Sequence, residues 1–206
     1  QRSIEIFEVF LVAIGMYFFS RGQDRAAGIS IGLATMTKFL PGILILYFLF
    51  RRRWNAFISS VIVCVVSGLL AEWALGWGKS WTWKLLIDIE VTDPSYFLGH
   101  PLNQAVSGTI YRLTDYFGIH ETASTISEIT TFVGFLGVVL WLYLSRNSSD
   151  WLLDWCLLIS FAIFFAPHNQ NYYLSFLVIP FLVTIDRVRN FSGPRKNAAW
   201  TLLGIS

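Results

Sequence analysis

Charge is what this sequence has least of. Asp, Glu, Lys and Arg make up 14% of its 206 residues, against about 25% in an ordinary soluble domain. Hydrophobic side chains make up 55%, more than a soluble core of this size can hide. They form long runs separated by short polar clusters, the layout of membrane spans and loops with the bilayer as solvent. Cysteine is scarce as well. Cys64 and Cys156 each sit inside an apolar run with no second Cys or His at ligand spacing. That excludes a disulfide framework and a Cys/His zinc site and leaves both as packing residues. A net charge of +2, without a basic stripe interleaved with aromatics, argues against a nucleic-acid partner. The sequence also has no Gly-rich phosphate loop, no defensible Ser/His/Asp or Cys/His arrangement and no Asp-x-Asp nucleotide-sugar motif. No cofactor is evident, and metal dependence cannot be read from the residues.

What is present predicts an all-α fold, a polytopic transmembrane helical bundle forming one domain over 1–206. Helices are expected over about 4–20, 26–50 (broken near 38–41), 56–75, 126–144, 151–165 and 172–185, with another opening at 197. A polar, aromatic-rich loop over 76–125 is far longer than the usual connection and is expected to be functional. The chain opens on Gln1 rather than Met and stops inside a new apolar run, so a fragment truncated at both ends is expected.

Orientation follows from Lys and Arg beside the spans, which favour the cytoplasm. With Arg51–Arg53 inside, counting crossings puts the long loop outside. That loop carries three Lys or Arg against five Asp or Glu, as an exported loop should. A multi-pass protein of the cell membrane with an extracytoplasmic 76–125 loop is therefore expected. Arg21 and Arg25 disagree if 26–50 crosses once. Either that stretch is one tilted span, or it is a re-entrant hairpin broken around Lys38-Phe39-Leu40-Pro41, where proline removes a backbone donor.

Three polar constellations could carry chemistry. Lys38 lies deep in an apolar stretch, where a charge costs about 2.5–3.5 kcal/mol on insertion scales. It fits an anionic contact such as a lipid phosphate, or a lysine that snorkels or pairs with Glu72. Asn103 and Gln104 can hydrogen-bond sugar hydroxyls or a headgroup, or cap a short loop helix, and Arg112 offers a fork matching phosphate oxygens. The aromatics Trp73, Trp77, Trp81, Trp83, Tyr96 and Phe97 suit an interfacial belt better than sugar stacking. At the next outward end, His168 and Asn169 lie in Pro167-His168-Asn169-Gln170-Asn171, either a polar site or an ordinary turn. Asp88, Glu90, Asp93, Asp115 and Glu121 are possible bases without a partner at diagnostic spacing.

Several stretches in order resemble the polyprenyl-phosphate-mannose-dependent membrane mannosyltransferases of the GT-C class, glycosyltransferase family 87. Gly28-Ile29-Ser30-Ile31-Gly32-Leu33-Ala34 with Lys38, Pro41 and Arg51-Arg52-Arg53-Trp54 is similar to one family run. Asn103-Gln104 with Gly108, Arg112 and Leu113 resembles its Asn-Gln loop, and Pro167-His168 its Pro/His helix end. Ala105 and Ala166 stand where members often have Ser.

The resemblance implies inverting transfer of a hexose, mannose by analogy, from a polyprenyl-phosphate donor to a lipid or glycan acceptor on the outer face. It implies donor-phosphate contacts from Arg112, His168 and Lys38, and sugar or headgroup contacts from Asn103, Gln104 and Asn169. It also implies that the acidic catalytic base, in the first outward loop of such enzymes, precedes Gln1. A lipid-linked oligosaccharide ligase or polymerase is the first alternative. A transporter-like substrate-binding membrane protein is the second, although the inverted repeat it favours is not detectable.

Overall fold

The computed structural model describes residues 2–37, 40–77, 103, 105–145, 150–165 and 175–190. The described residues are helical, joined by tight turns. Helix α1 is Arg2–Ser20, α2 Asp24–Thr37, a 3-10 turn Leu40–Gly42, α3 Ile43–Phe50 and α4 Trp54–Leu75. Then come α5 Val106–Tyr116, α6 His120–Leu144, α7 Trp151–Phe165 and α8 Val178–Arg189.

The outside of the bundle is as apolar as its inside. α4 and the Ser124–Leu144 part of α6 are long and apolar enough to cross a membrane, yet only 11% of each window is buried. Ile58, Ile62, Val65, Leu69 and Leu70 of α4, and Phe132, Val133, Leu136 and Leu140 of α6, are exposed. Helices apolar all round and uncovered by protein have lipid for a solvent. The chain is an all-α membrane protein.

Small residues set the closest contact. A Cβ built on Gly28 would lie 2.2 Å from the Ala56 carbonyl oxygen, and one on Gly32 would lie 2.9 Å from both the Ser60 carbonyl oxygen and the Val63 Cβ. Gly28 and Gly32, four apart, thus let the α2 and α4 backbones touch, the usual way of gaining packing energy where no hydrophobic effect drives helices together. Cys64 adds a weak hydrogen bond from its thiol to the Gly32 carbonyl oxygen, 3.8 Å.

These contacts also fix direction. Gly28 opposite Ala56, and Gly32 opposite Ser60 and Val63, make α2 and α4 parallel. α3 enters α4 through the three-residue turn 51–53 and packs against it, so α3 runs antiparallel to both. The stretch between Ala26 and Phe50 is therefore a hairpin with α2 and α3 as its arms. By helix rise the arms are about 21 Å and 12 Å long, too short to cross a hydrocarbon core singly. Its two ends meet: Arg53 Nη1 lies 3.6 Å from Asp24 Oδ2, and the Arg53 guanidinium sits over the Phe19 ring.

Three reversals share one device. Gly22, Arg52 and Gly118 have φ of 71°, 55° and 75°. The following N–H of Gln23, Arg53 and Ile119 bonds back to the carbonyl oxygens of Phe18, Phe48 and Thr114. A left-handed residue after the last helical turn closes the helix and reverses the chain. Arg52 does this without the freedom of glycine.

At the end where the hairpin closes, Phe19, Tyr47, Phe48, Trp151 and Trp155 form an aromatic cluster, with ring centroids between 5.3 and 6.0 Å apart. Beside it Arg51 pairs with Asp154, both nearly buried, and Trp141 Nε1 donates to Asp154 Oδ1 at 3.1 Å. Arg187 Nη2 reaches Asp150 Oδ1 at 2.6 Å. Thus the ends of α1, α3, α6 and α8 and the starts of α2, α4 and α7 are tied together. Arg21, Arg25, Arg51, Arg52, Arg53, Arg187 and Arg189 all belong to this one end.

The segment read as a 76–125 loop contains α5 and the start of α6. Hydropathy missed α5 because its buried residues are small and polar, Ser107 and Gly108. It is held by folding back on α6 through the 117–119 turn.

Candidate functional site

The end of the bundle remote from the arginines is where α5 joins α6. α5 also touches α7. Asn103, just ahead of α5, is fully buried. Its Oδ1 accepts the Ala105 backbone N–H at 3.1 Å, an Asx turn that starts the helix. Gly108 makes room for it: a Cβ there would lie 2.7 Å from Asn103 Cγ.

Arg112 reaches back along the same helix face. Its Nη1 donates to the Asn103 backbone oxygen at 2.8 Å and its Nη2 to Thr109 Oγ1 at 3.4 Å. Thr109 Oγ1 in turn donates to the Ala105 carbonyl oxygen at 3.2 Å. The planar fork is thus oriented by two neighbours before any ligand arrives, which suits recognition of phosphate oxygens. Arg112 is half-buried and lies about 8 Å by helix rise from the α5–α6 turn. Asn103 thus lies two residues ahead of the N-cap, Ala105, and is held against the arginine. Lys38, Gln104, His168 and Asn169 lie outside the described residues, so of the six site residues the structure brings together Asn103 and Arg112.

Two buried carboxylates escaped the sequence reading of the site. Glu8 is fully buried on the face of α1 that carries Val12, Gly15 and Phe19, and Gly15 meets Ile31 of α2. Glu72, weighed from sequence only as a partner for Lys38, is 5% exposed near the end of α4. By helix rise Glu8 is about 18 Å above Ser20, and Glu72 about 27 Å above Trp54. Both thus belong to the half of the bundle away from the arginines. An ionisable group inside a membrane helix faces the protein or a water-filled cavity. The signal was available: Glu72 is the one carboxylate of apolar α4, and Glu8 follows Glu5 into the apolar run of α1. Among the described residues no group of three His, Cys, Asp or Glu side chains is arranged to hold a metal.

A family model described as glycosyltransferase family 87 matches residues 3–167. No curated protein and no solved structure matches the chain.

Proposed function

Since the chain belongs to glycosyltransferase family 87 and is a membrane glycosyltransferase, we propose that it moves a hexose from a polyprenyl-phosphate donor to a lipid or glycan hydroxyl. Mannose is the sugar the sequence resemblance favours, and a GT-C-type inverting displacement is the mechanism. The acceptor oxygen attacks the anomeric carbon, the bond from that carbon to the phosphate oxygen breaks, and its electron pair leaves with the polyprenyl phosphate. A carboxylate base takes the acceptor proton. Charge that builds on the leaving phosphate is met by cations held in place beforehand, and Arg112 with His168 and Lys38 are assigned that role. Asn103, Gln104 and Asn169 are assigned to sugar or headgroup hydroxyls.

The observation that carries this reading is Arg112, held by Asn103 in the half of the bundle away from the gathered arginine clusters. Basic flanks favour the cytoplasm, which supports an extracytoplasmic side for the pair. Arg21 and Arg25 agree with that orientation once the hairpin returns them beside Arg51–Arg53.

Transfer of radiolabelled mannose from polyprenyl-phosphate-mannose by the intact protein in membranes tests it. Arg112→Ala and His168→Ala are each expected to lower turnover by roughly 10²–10³-fold, the usual loss when one transition-state donor is removed. Arg112→Lys keeps the charge without the fork and should recover only part of it. Near-normal rates in both alanine variants would sink the assignment.

A further inference from the structure

The arginine-rich end has a surface that transfer chemistry does not use. Two adjacent turns, 21–23 and 51–53, are brought together by the Asp24–Arg53 contact and by Arg53 over Phe19. They carry Arg21, Arg52 and Arg53, and Arg25 follows on the first turn of α2; all four are exposed. Asp24 faces Arg53, Asp154 faces Arg51 and Asp150 faces Arg187. Among the described residues no carboxylate pairs with Arg21, Arg25 or Arg52.

The setting of these cations is interfacial. The Arg21 guanidinium lies 5.3 Å from the centroid of the Tyr17 ring, which is 55% exposed. Trp54, 52% exposed, follows Arg53 and opens the lipid-facing α4. Exposed Tyr and Trp beside arginines, at the end of helices whose flanks are apolar, lie at headgroup depth. A hairpin too short to cross concentrates there the basic flanks of two turns that a single span would have sent to opposite faces.

We propose that Arg21, Arg25 and Arg52 form a docking surface for the phosphate of an anionic phospholipid in the adjoining leaflet. Arginine forks match phosphodiester oxygens, and the neighbouring rings pack against the glycerol and upper acyl region. The surface anchors the closed end of the hairpin. It needs only that the protein is embedded in lipid, not that the transferase reading holds.

The full chain reconstituted in phosphatidylcholine vesicles tests this, with spin-labelled phosphatidylglycerol and spin-labelled phosphatidylcholine compared by electron paramagnetic resonance. The association constant of the glycerol lipid relative to the choline lipid should exceed one several-fold. It should fall toward one in Arg21→Gln, Arg25→Gln and Arg52→Gln combined. Molar salt should do the same to the unmodified protein, because the attraction is screened. This salt arm needs no variant to fold. A ratio near one in the unmodified protein overturns the proposal, as does a ratio that survives both salt and the triple substitution.

Discussion

Single residues here do work that their types do not advertise. Asp154 sits in an apolar run and looks like an interruption, yet it accepts from both Arg51 and Trp141 and joins α3, α6 and α7. Removing one partner of a buried ion pair strands the other, a loss of about 3–5 kcal/mol, whereas replacing both with apolar groups is often neutral or better. Asp154→Ala should therefore lower the thermal midpoint of the detergent-solubilised protein by many degrees, and Arg51→Met with Asp154→Leu should be milder than either single change. A double variant as damaged as the sum of the singles would show that the pair is not the unit that matters. Arg52 carries φ of 55° where glycine is the usual residue, so Arg52→Gly should stabilise the same protein by about 1–2 kcal/mol in the same melt. The residue that is costly to the backbone is kept beside three other arginines, consistent with a role for its charge.

At the scale of elements, the decisive contact is α2 on α4. Gly28→Ala puts a methyl group 2.2 Å from a backbone oxygen that cannot rotate away, so the helices must separate. Overpacking of this kind costs about 1–3 kcal/mol, and here the lost backbone approach adds to it. Gly68→Ala on the same α4 meets nothing within 4 Å and should be neutral or gain about 0.5–1 kcal/mol of helix stability. Parallel melts of the two variants separate tight packing from mere intolerance of change. The apolar runs and the all-α class were legible because long apolar stretches have few solutions in lipid. The Gly28-to-Gly32 run was legible as a family resemblance, but its partner was not, since nothing local in Ala56 or Ser60 says which helix will lie opposite. α5 was hidden for a related reason. Its helical character rests on Asn103, Gly108 and Arg112 packing together, a tertiary arrangement in which small polar residues take the place of an apolar stripe. The other site residues, Lys38, Gln104, His168 and Asn169, rest on sequence and family resemblance.

For the whole molecule, the hairpin decides topology. Had 26–50 crossed once, Arg25 and Arg52 would face opposite compartments. Because α2 and α4 run parallel from neighbouring starts, with α3 returning between them, both lie at one end of the bundle, and the start of α6 lies at the other. The arrangement can be read in sealed, right-side-out vesicles with a membrane-impermeant maleimide. Cysteine at Arg25 and cysteine at Arg52, each introduced alone, should be unreactive until the vesicles are opened. Cysteine at Thr122, exposed on the first turn of α6, should react from outside at once. The native thiols set a low background, since Cys156 is buried and Cys64 is engaged with Gly32. Opposite labelling of positions 25 and 52 would refute the hairpin in the membrane and with it the gathering of arginines at one end. Labelling of all three from the same side would leave the hairpin intact but refute the placement of the Asn103–Arg112 site across the bilayer from those arginines. The two outcomes fail different parts of the structure, so one experiment tests the orientation on which an outward-facing transfer reaction depends.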